Sequence, residues 1–79
     1  MVGLVVKVVQ NSTGKPVRGK YVSVGCDELF ALWNTSKVYT GSDGIAQFSV
    51  QRVGFKGKIY IDGKPVFEGK VMASNTVYI

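Results

Sequence analysis

The chemistry open to this chain of 79 residues rests on five carboxylates, one thiol and ten lysines and arginines, because it contains no histidine. That absence removes the commonest general base, the commonest metal ligand and the usual partner of a nucleophilic Ser or Cys. The acids are Asp27, Glu28, Asp43, Asp62 and Glu68. Asp27 and Glu28 are adjacent, and neighbours on a strand point to opposite faces, so they do not form a carboxylate dyad. Asp43 and Asp62 each precede a glycine, where an aspartate caps the backbone N–H groups of a turn. Glu68 is expected in solvent beside Lys70 or Lys58. Ser42-Asp43-Gly44 supplies too few oxygens for calcium. Cys26 is the only cysteine; it can form neither an internal disulfide nor a Cys-ligated zinc site, and it reads as a small buried or half-buried side chain. No catalytic residue, metal ligand or cofactor is therefore expected, and an enzyme is the least favoured class.

The basic residues carry a livelier signal. Ten cations against five acids give a formal charge of +5, which keeps a small protein soluble and favours acidic partners. Arg52, Lys56, Lys58, Lys64 and Lys70 fall in the second half of the chain. Lys58-Ile59-Tyr60 sets a lysine and a tyrosine on one outer strand face. Aromatic rings among lysines on a small β surface are how single-stranded nucleic acid is held, which marks Lys56, Lys58, Tyr60 and Lys64 as a candidate interface. A structural role is weighed above it, because lysines on exposed strands discourage edge-to-edge association and tyrosine is a good strand former. Asp62 and Glu68 also interrupt the patch.

The elements that position these residues follow a period of two rather than 3.6. Leu4, Val6 and Val8 share one face, with Val5, Lys7 and Val9 on the other. Val22 and Val24 point inward, with Lys20, Tyr21 and Ser23 outside or near the ends. Residues 37–40 read as a strand, Ser42-Asp43-Gly44 as a hairpin-type turn, and Ala46, Phe48 and Val50 as the inward set of the next strand. Ile59 and Ile61 repeat the pattern. Asp62-Gly63-Lys64-Pro65 then turns the chain into residues 66–71, and Ala73-Ser74-Asn75 turns it into residues 76–79. Gly-Lys-Pro-Val occurs at 14–17 and again at 63–66; proline lacks a donor N–H and glycine accepts positive φ, so both copies are expected in connections and not in strand interiors. The count is about seven short strands in one domain over residues 1–79, with a core of Leu4, Val6, Val8, Val22, Val24, Ala46, Phe48, Val50, Ile59, Ile61, Phe67 and Val77.

Two apolar segments stand apart. Glu28-Leu29-Phe30-Ala31-Leu32-Trp33 fits a helical turn or a strand, and a strand or loop is preferred because only Asn34-Thr35-Ser36 separates it from the next strand. The terminal Thr76-Val77-Tyr78-Ile79 either pairs inside a sheet or offers an edge to another chain. Leu29, Phe30, Leu32, Trp33, Val77 and Tyr78 are accordingly the candidate protein-binding residues, against the simpler expectation that Trp33 caps one open end of a sandwich. No apolar run approaches the ~20 residues of a membrane span, and the lysine at position 7 interrupts the start, so no signal peptide is expected.

The stretch from Val6 through the Gly14-Lys15-Pro16-Val17-Arg18-Gly19 turn to Val22-Ser23-Val24, with Thr40-Gly41-Ser42-Asp43-Gly44 and Phe48, resembles the carboxypeptidase regulatory-like domains, relatives of the transthyretin (prealbumin-like) sandwich. About half the chain carries the resemblance. Lys20 stands where such domains often have a small residue, and the Cys26–Trp33 segment has no counterpart. The resemblance implies a non-catalytic accessory module of a secreted or envelope protein, with no catalytic residues to carry over. The expected fold is thus all-β, about seven antiparallel strands in an immunoglobulin-like or prealbumin-like sandwich. The expected partner is another protein chain, or a second copy met through a strand edge, with a carbohydrate as a further candidate. Nucleic acid on a basic β-barrel is the less favoured alternative.

Overall fold

The computed structural model describes residues 1–28 and 31–79, and every regular element among them is a strand. They run β1 (Val2–Val9), β2 (Tyr21–Glu28), β3 (Ala31–Asn34), β4 (Val38–Tyr39), β5 (Ile45–Val50), β6 (Phe55–Ile61), β7 (Lys64–Val71) and β8 (Ser74–Tyr78). They form two sheets. The smaller has the order β5-β1-β8, and the larger runs β3-β2-β6-β7 with β4 also paired to β2. Alternation explains the packing. Leu4, Val6, Val8, Ala46, Phe48, Val50 and Val77 from the smaller sheet meet Val22, Val24, Cys26, Phe55, Ile59, Ile61 and Val71 from the larger in one apolar core. Two sheets sealed face to face by such a core make an all-β sandwich.

All ladders are antiparallel except β1 with β8, where Val8 lies beside Val77 in a parallel register. The terminal strand therefore pairs inside the sheet on one side and is an edge on the other. The extra strand beyond the expected seven is β3, in the segment expected as a strand or loop. β3 and β4 occupy the same side of β2, and between them Thr35 Oγ1 accepts the Val24 N–H at 3.0 Å while the Thr35 N–H donates to the Val24 carbonyl at 2.8 Å. A side-chain hydroxyl standing in for a backbone carbonyl interrupts the ladder, splitting one edge strand in two.

Several local expectations need correction. Ser42-Asp43-Gly44 does turn the chain, with Gly44 at φ 75° and Asp43 Oδ1 accepting the Ile45 N–H at 3.0 Å. The strands it joins are not a hairpin, since β4 pairs with β2 and β5 with β1. Asp62-Gly63 is a two-residue hairpin turn with both residues at positive φ, 52° and 82°, the pattern whose twist suits paired strands. Pro65 is not confined to a connection: it lies in β7 opposite Tyr60, beside a register shift, and an edge strand next to a bulge tolerates its missing donor. The last turn falls at Met72–Ala73, with Ser74 already in β8, and the Asn75 carboxamide holds it by accepting from the Met72 N–H and donating to the Met72 carbonyl.

The core also differs in detail. Val9 is buried rather than outward, because Pro16 bridges to it from the loop after β1 and Tyr78 flanks it on β8. Phe67 is half-buried at the rim. Phe55 and Val71, absent from the expected core, are both fully buried and stand opposite each other.

Candidate functional site

The register of the larger sheet places its outward residues in rows. Tyr39 lies opposite Tyr21, Ser23 opposite Tyr60, and Tyr60 opposite Pro65. The next row runs Asn34, Gly25, Lys58, Glu68. Leu32 with Asp27, and Lys56 with Lys70, follow at the far end. Three tyrosines drawn from β2, β4 and β6 therefore share one half of this face, and lysines occupy the other.

The rings are held by close packing. Tyr21 and Tyr39 meet edge to face with centroids 6.0 Å apart, and Lys37 Nζ sits 4.9 Å from the Tyr21 centroid, within cation–π range. A methyl group on Gly25 would meet the Asn34 carboxamide oxygen at 2.5 Å and the Tyr60 ring at 3.4 Å. Glycine at 25 thus lets Asn34 and the edge of the Tyr60 ring lie close over the β2 backbone. Tyr39 is 66% exposed, so its ring is available to a ligand.

Of the four residues grouped by sequence as a nucleic-acid interface, Lys56, Lys58 and Tyr60 alternate along β6 on this face, while Phe55, Ile59 and Ile61 point into the core. Lys64 is not with them. It stands opposite Ile61, an inward position, across the hairpin turn. The residues that sequence reasoning did not connect to the patch are Tyr21, Tyr39 and Lys37, whose proximity depends on long-range pairing.

Charges at the margins are partly neutralised. Lys20 Nζ donates to Asp62 Oδ2 at 3.0 Å, and Asp62 Oδ1 also accepts the Tyr21 N–H. The Lys20 ammonium, chiefly, lowers the Asp62 carboxyl below its ordinary range, against an opposing desolvation. Arg52 donates to Glu28, which also accepts the Lys56 N–H; the guanidinium lowers the Glu28 pKa and the carboxylate raises that of Arg52. Lys58 and Glu68 approach only to 3.8 Å. Asp43 is engaged in its turn. Among the described residues no three His, Cys, Asp or Glu side chains converge on a point that would hold a metal.

The second candidate lies on the open side of the sandwich, where the split edge β3–β4 of one sheet faces edge strand β5 of the other. A groove of about 550 Å³ runs there, with Met1, Trp33, Val38, Phe48 and Val50 as its apolar lining and Asn34, Thr35, Ser36, Gln47, Ser49 and Gln51 as its polar rim. Trp33 faces inward beside Cys26 and packs edge to face on Phe55 at 4.9 Å, so it closes this end of the core and contributes one side to the groove. Leu32, its neighbour, points the other way and is 74% exposed. Leu29 and Phe30 lie outside the described residues. Val77 is 4% exposed and belongs to the core, leaving Tyr78 as the exposed side chain of that pair on the terminal strand.

The edges differ in how they are guarded. β7 carries Lys64, Pro65, Glu68, Lys70 and a register shift, all devices that deter strand addition. β3 and β4 are short. β5, Ile-Ala-Gln-Phe-Ser-Val, carries no charge, no proline and no bulge. No protein-family model, curated protein or solved structure matches the chain.

Proposed function

We propose that this chain is a non-catalytic interaction module of prealbumin-like build that meets an extended segment of another protein chain along the free edge of β5. The build is inferred from the distribution of strands. With β3 and β4 taken as one split strand, the first, fourth and seventh share a sheet, and the second, third, fifth and sixth share the other. A constant-type immunoglobulin sandwich groups the first, second, fourth and fifth, so of the two sandwich types the sequence resembles, the prealbumin-like one is adopted.

The observation that carries the binding reading is the unguarded β5 edge bordering an apolar groove. Backbone N–H and C=O groups on such an edge offer a template for an added strand, and the half-buried Trp33 and Val38 offer apolar surface to its side chains. The carboxylates support the non-catalytic part, being committed to cations or to a turn at Glu28, Asp43 and Asp62.

The edge is tested first between copies of the chain. At millimolar concentration, sedimentation should detect a weak dimer and the amide signals of residues 45–50 should shift with concentration. Ser49→Lys, at an exposed position of β5, should return the protein to a monomer with its core signals unchanged. A protein that stays monomeric, with those amides unmoved, counts against β5 as a binding edge.

A further inference from the structure

We propose that the outward face of the five-stranded sheet binds single-stranded nucleic acid, with Tyr39 and Tyr60 as stacking rings and Lys37, Lys56, Lys58 and Lys70 as phosphate partners. This goes beyond the strand-edge reading, since it concerns a different surface. Three observations carry it.

The first is convergence. Tyr21, Tyr39 and Tyr60 are far apart in the chain yet occupy adjacent rows of one face. One outward tyrosine is accounted for by strand propensity; three gathered on one half of a sheet make a platform. Every base has a π-face, so rings displayed on a sheet accept bases without regard to sequence. Tyr39 presents the most open ring, and Tyr60 the one nearest the lysines.

The second is charge complementarity. Lys20, Lys37, Lys56, Lys58 and Lys70 lie on or border this face against Asp27, Asp62 and Glu68. Asp62 is held by Lys20. The Lys58–Glu68 pair, at 3.8 Å with Glu68 largely in solvent, is a weak exposed pair that a phosphate can displace. A polyanion is therefore the occupant the surface favours.

The third is a local cost. Lys56 stands directly opposite Lys70 across the β6–β7 ladder, and neither has an ion-pair partner among the described residues. Like charges at directly opposed positions destabilise a sheet. An anion lodged between them turns that repulsion into attraction. A single strand satisfies both halves of the face at once, bases over the tyrosines and phosphates over the lysines, whereas a duplex keeps its bases stacked away from the rings.

The test is fluorescence anisotropy of a labelled oligothymidylate of about twelve nucleotides at low and physiological salt. A duplex of equal length, inorganic polyphosphate and a neutral oligosaccharide run alongside. Binding is expected with the affinity falling on a log–log salt plot at a slope of about −3, four lysines at about 0.7 each. Tyr39→Ala, a truncation of an exposed ring, should weaken binding about 5- to 150-fold while leaving the amide spectrum dispersed. Lys56→Gln should make the slope shallower by about 0.7. The proposal is overturned by absent binding at low salt, by polyphosphate or duplex binding as tightly as the single strand, or by Tyr39→Ala without effect. Salt-independent binding of the oligosaccharide alone would assign the tyrosines to a carbohydrate and overturn it equally.

Discussion

The Thr40 hydroxyl donates to the Val17 carbonyl at 2.7 Å, joining the end of the split edge strand to the loop before β2. The same oxygen accepts the Lys20 N–H at 3.0 Å. Thr40 is the buried polar residue of the described core, 4% exposed, and its single hydroxyl satisfies two backbone groups that the β1–β2 loop leaves without ladder partners. Thr40→Val keeps the shape and removes both bonds. Leaving such groups unsatisfied costs about 1–3 kcal/mol, whereas Thr40→Ser keeps the hydroxyl and loses one methyl, about 0.8 kcal/mol. Urea unfolding should therefore rank Thr40→Val below Thr40→Ser; the reverse order would mean that the hydroxyl adds nothing to the loop.

A second prediction concerns two glycines of opposite character. Gly57 faces the core opposite both Cys26 and Gly69, and a methyl group there would run into the Gly25 carbonyl and meet the Phe55 ring at 2.9 Å. That carbonyl belongs to the paired β2 strand and cannot retreat without breaking the β2–β6 ladder, so Gly57→Ala should cost about 1–3 kcal/mol by overpacking. For a domain of this length, whose total is on the order of 4–12 kcal/mol, this is a large fraction. A methyl group on Gly3 would meet nothing within 4 Å, so Gly3→Ala should be neutral or raise stability by up to about 1 kcal/mol by restricting the unfolded chain. Equal behaviour of the two variants in denaturant would remove the packing argument.

Gly57 also shows why some of this molecule was legible in the sequence and some was not. Period-two alternation marks Leu4, Val6 and Val8, or Val22 and Val24, as inward with no knowledge of their neighbours, and Asp62-Gly63 announces its own turn. Phe55 escaped because the legible alternation runs only from Ile59 to Ile61, whereas the strand begins at Phe55 and Gly57 is the space that the Phe55 ring lies against. The tyrosine face escaped for a different reason. Tyr21, Tyr39 and Tyr60 become neighbours through the β2–β4 and β2–β6 registers, and no local pattern encodes a register between strands so distant in the chain. Lys64 illustrates the same limit in reverse: beside Tyr60 in sequence terms, it is turned to the other face by the hairpin.

Acid should weaken the fold through two carboxylates. Asp62, held by Lys20, and Glu28, held by Arg52, both have their pKa lowered in the folded state. The unfolded chain then takes up protons first as pH falls, so their contribution is fully present above the ordinary carboxylate range and is lost as pH drops through the folded values. Both pairs are solvent-accessible, so the effect is modest and screened by salt. Thermal unfolding of Asp62→Asn and Glu28→Gln should differ from the parent at neutral pH and converge with it in acid. Asparagine at 62 keeps the left-handed turn accessible, which isolates the charge. Differences that persist unchanged into strong acid would show that the ion pairs are not their source.

The final prediction separates a Trp33 that seals the core from a Trp33 held ready for a partner. Cys26 is 2% exposed, with Trp33 opposite it on β3 and Gly57 opposite it on β6. Trp33 is itself braced by the Phe55 ring. If the indole is the cover, a thiol reagent reaches Cys26 only when the chain opens, and the labelling rate should follow the population of the open state as denaturant is added. Trp33→Ala removes the cover and should let labelling proceed from the native state, at a rate insensitive to low denaturant, while the β spectrum persists. Trp33→Phe keeps an aromatic cover of smaller reach and should fall between the two. Rapid labelling of the unaltered chain under native conditions would instead mean that the indole swings away from Cys26, leaving the ring free for the groove rather than committed to the core.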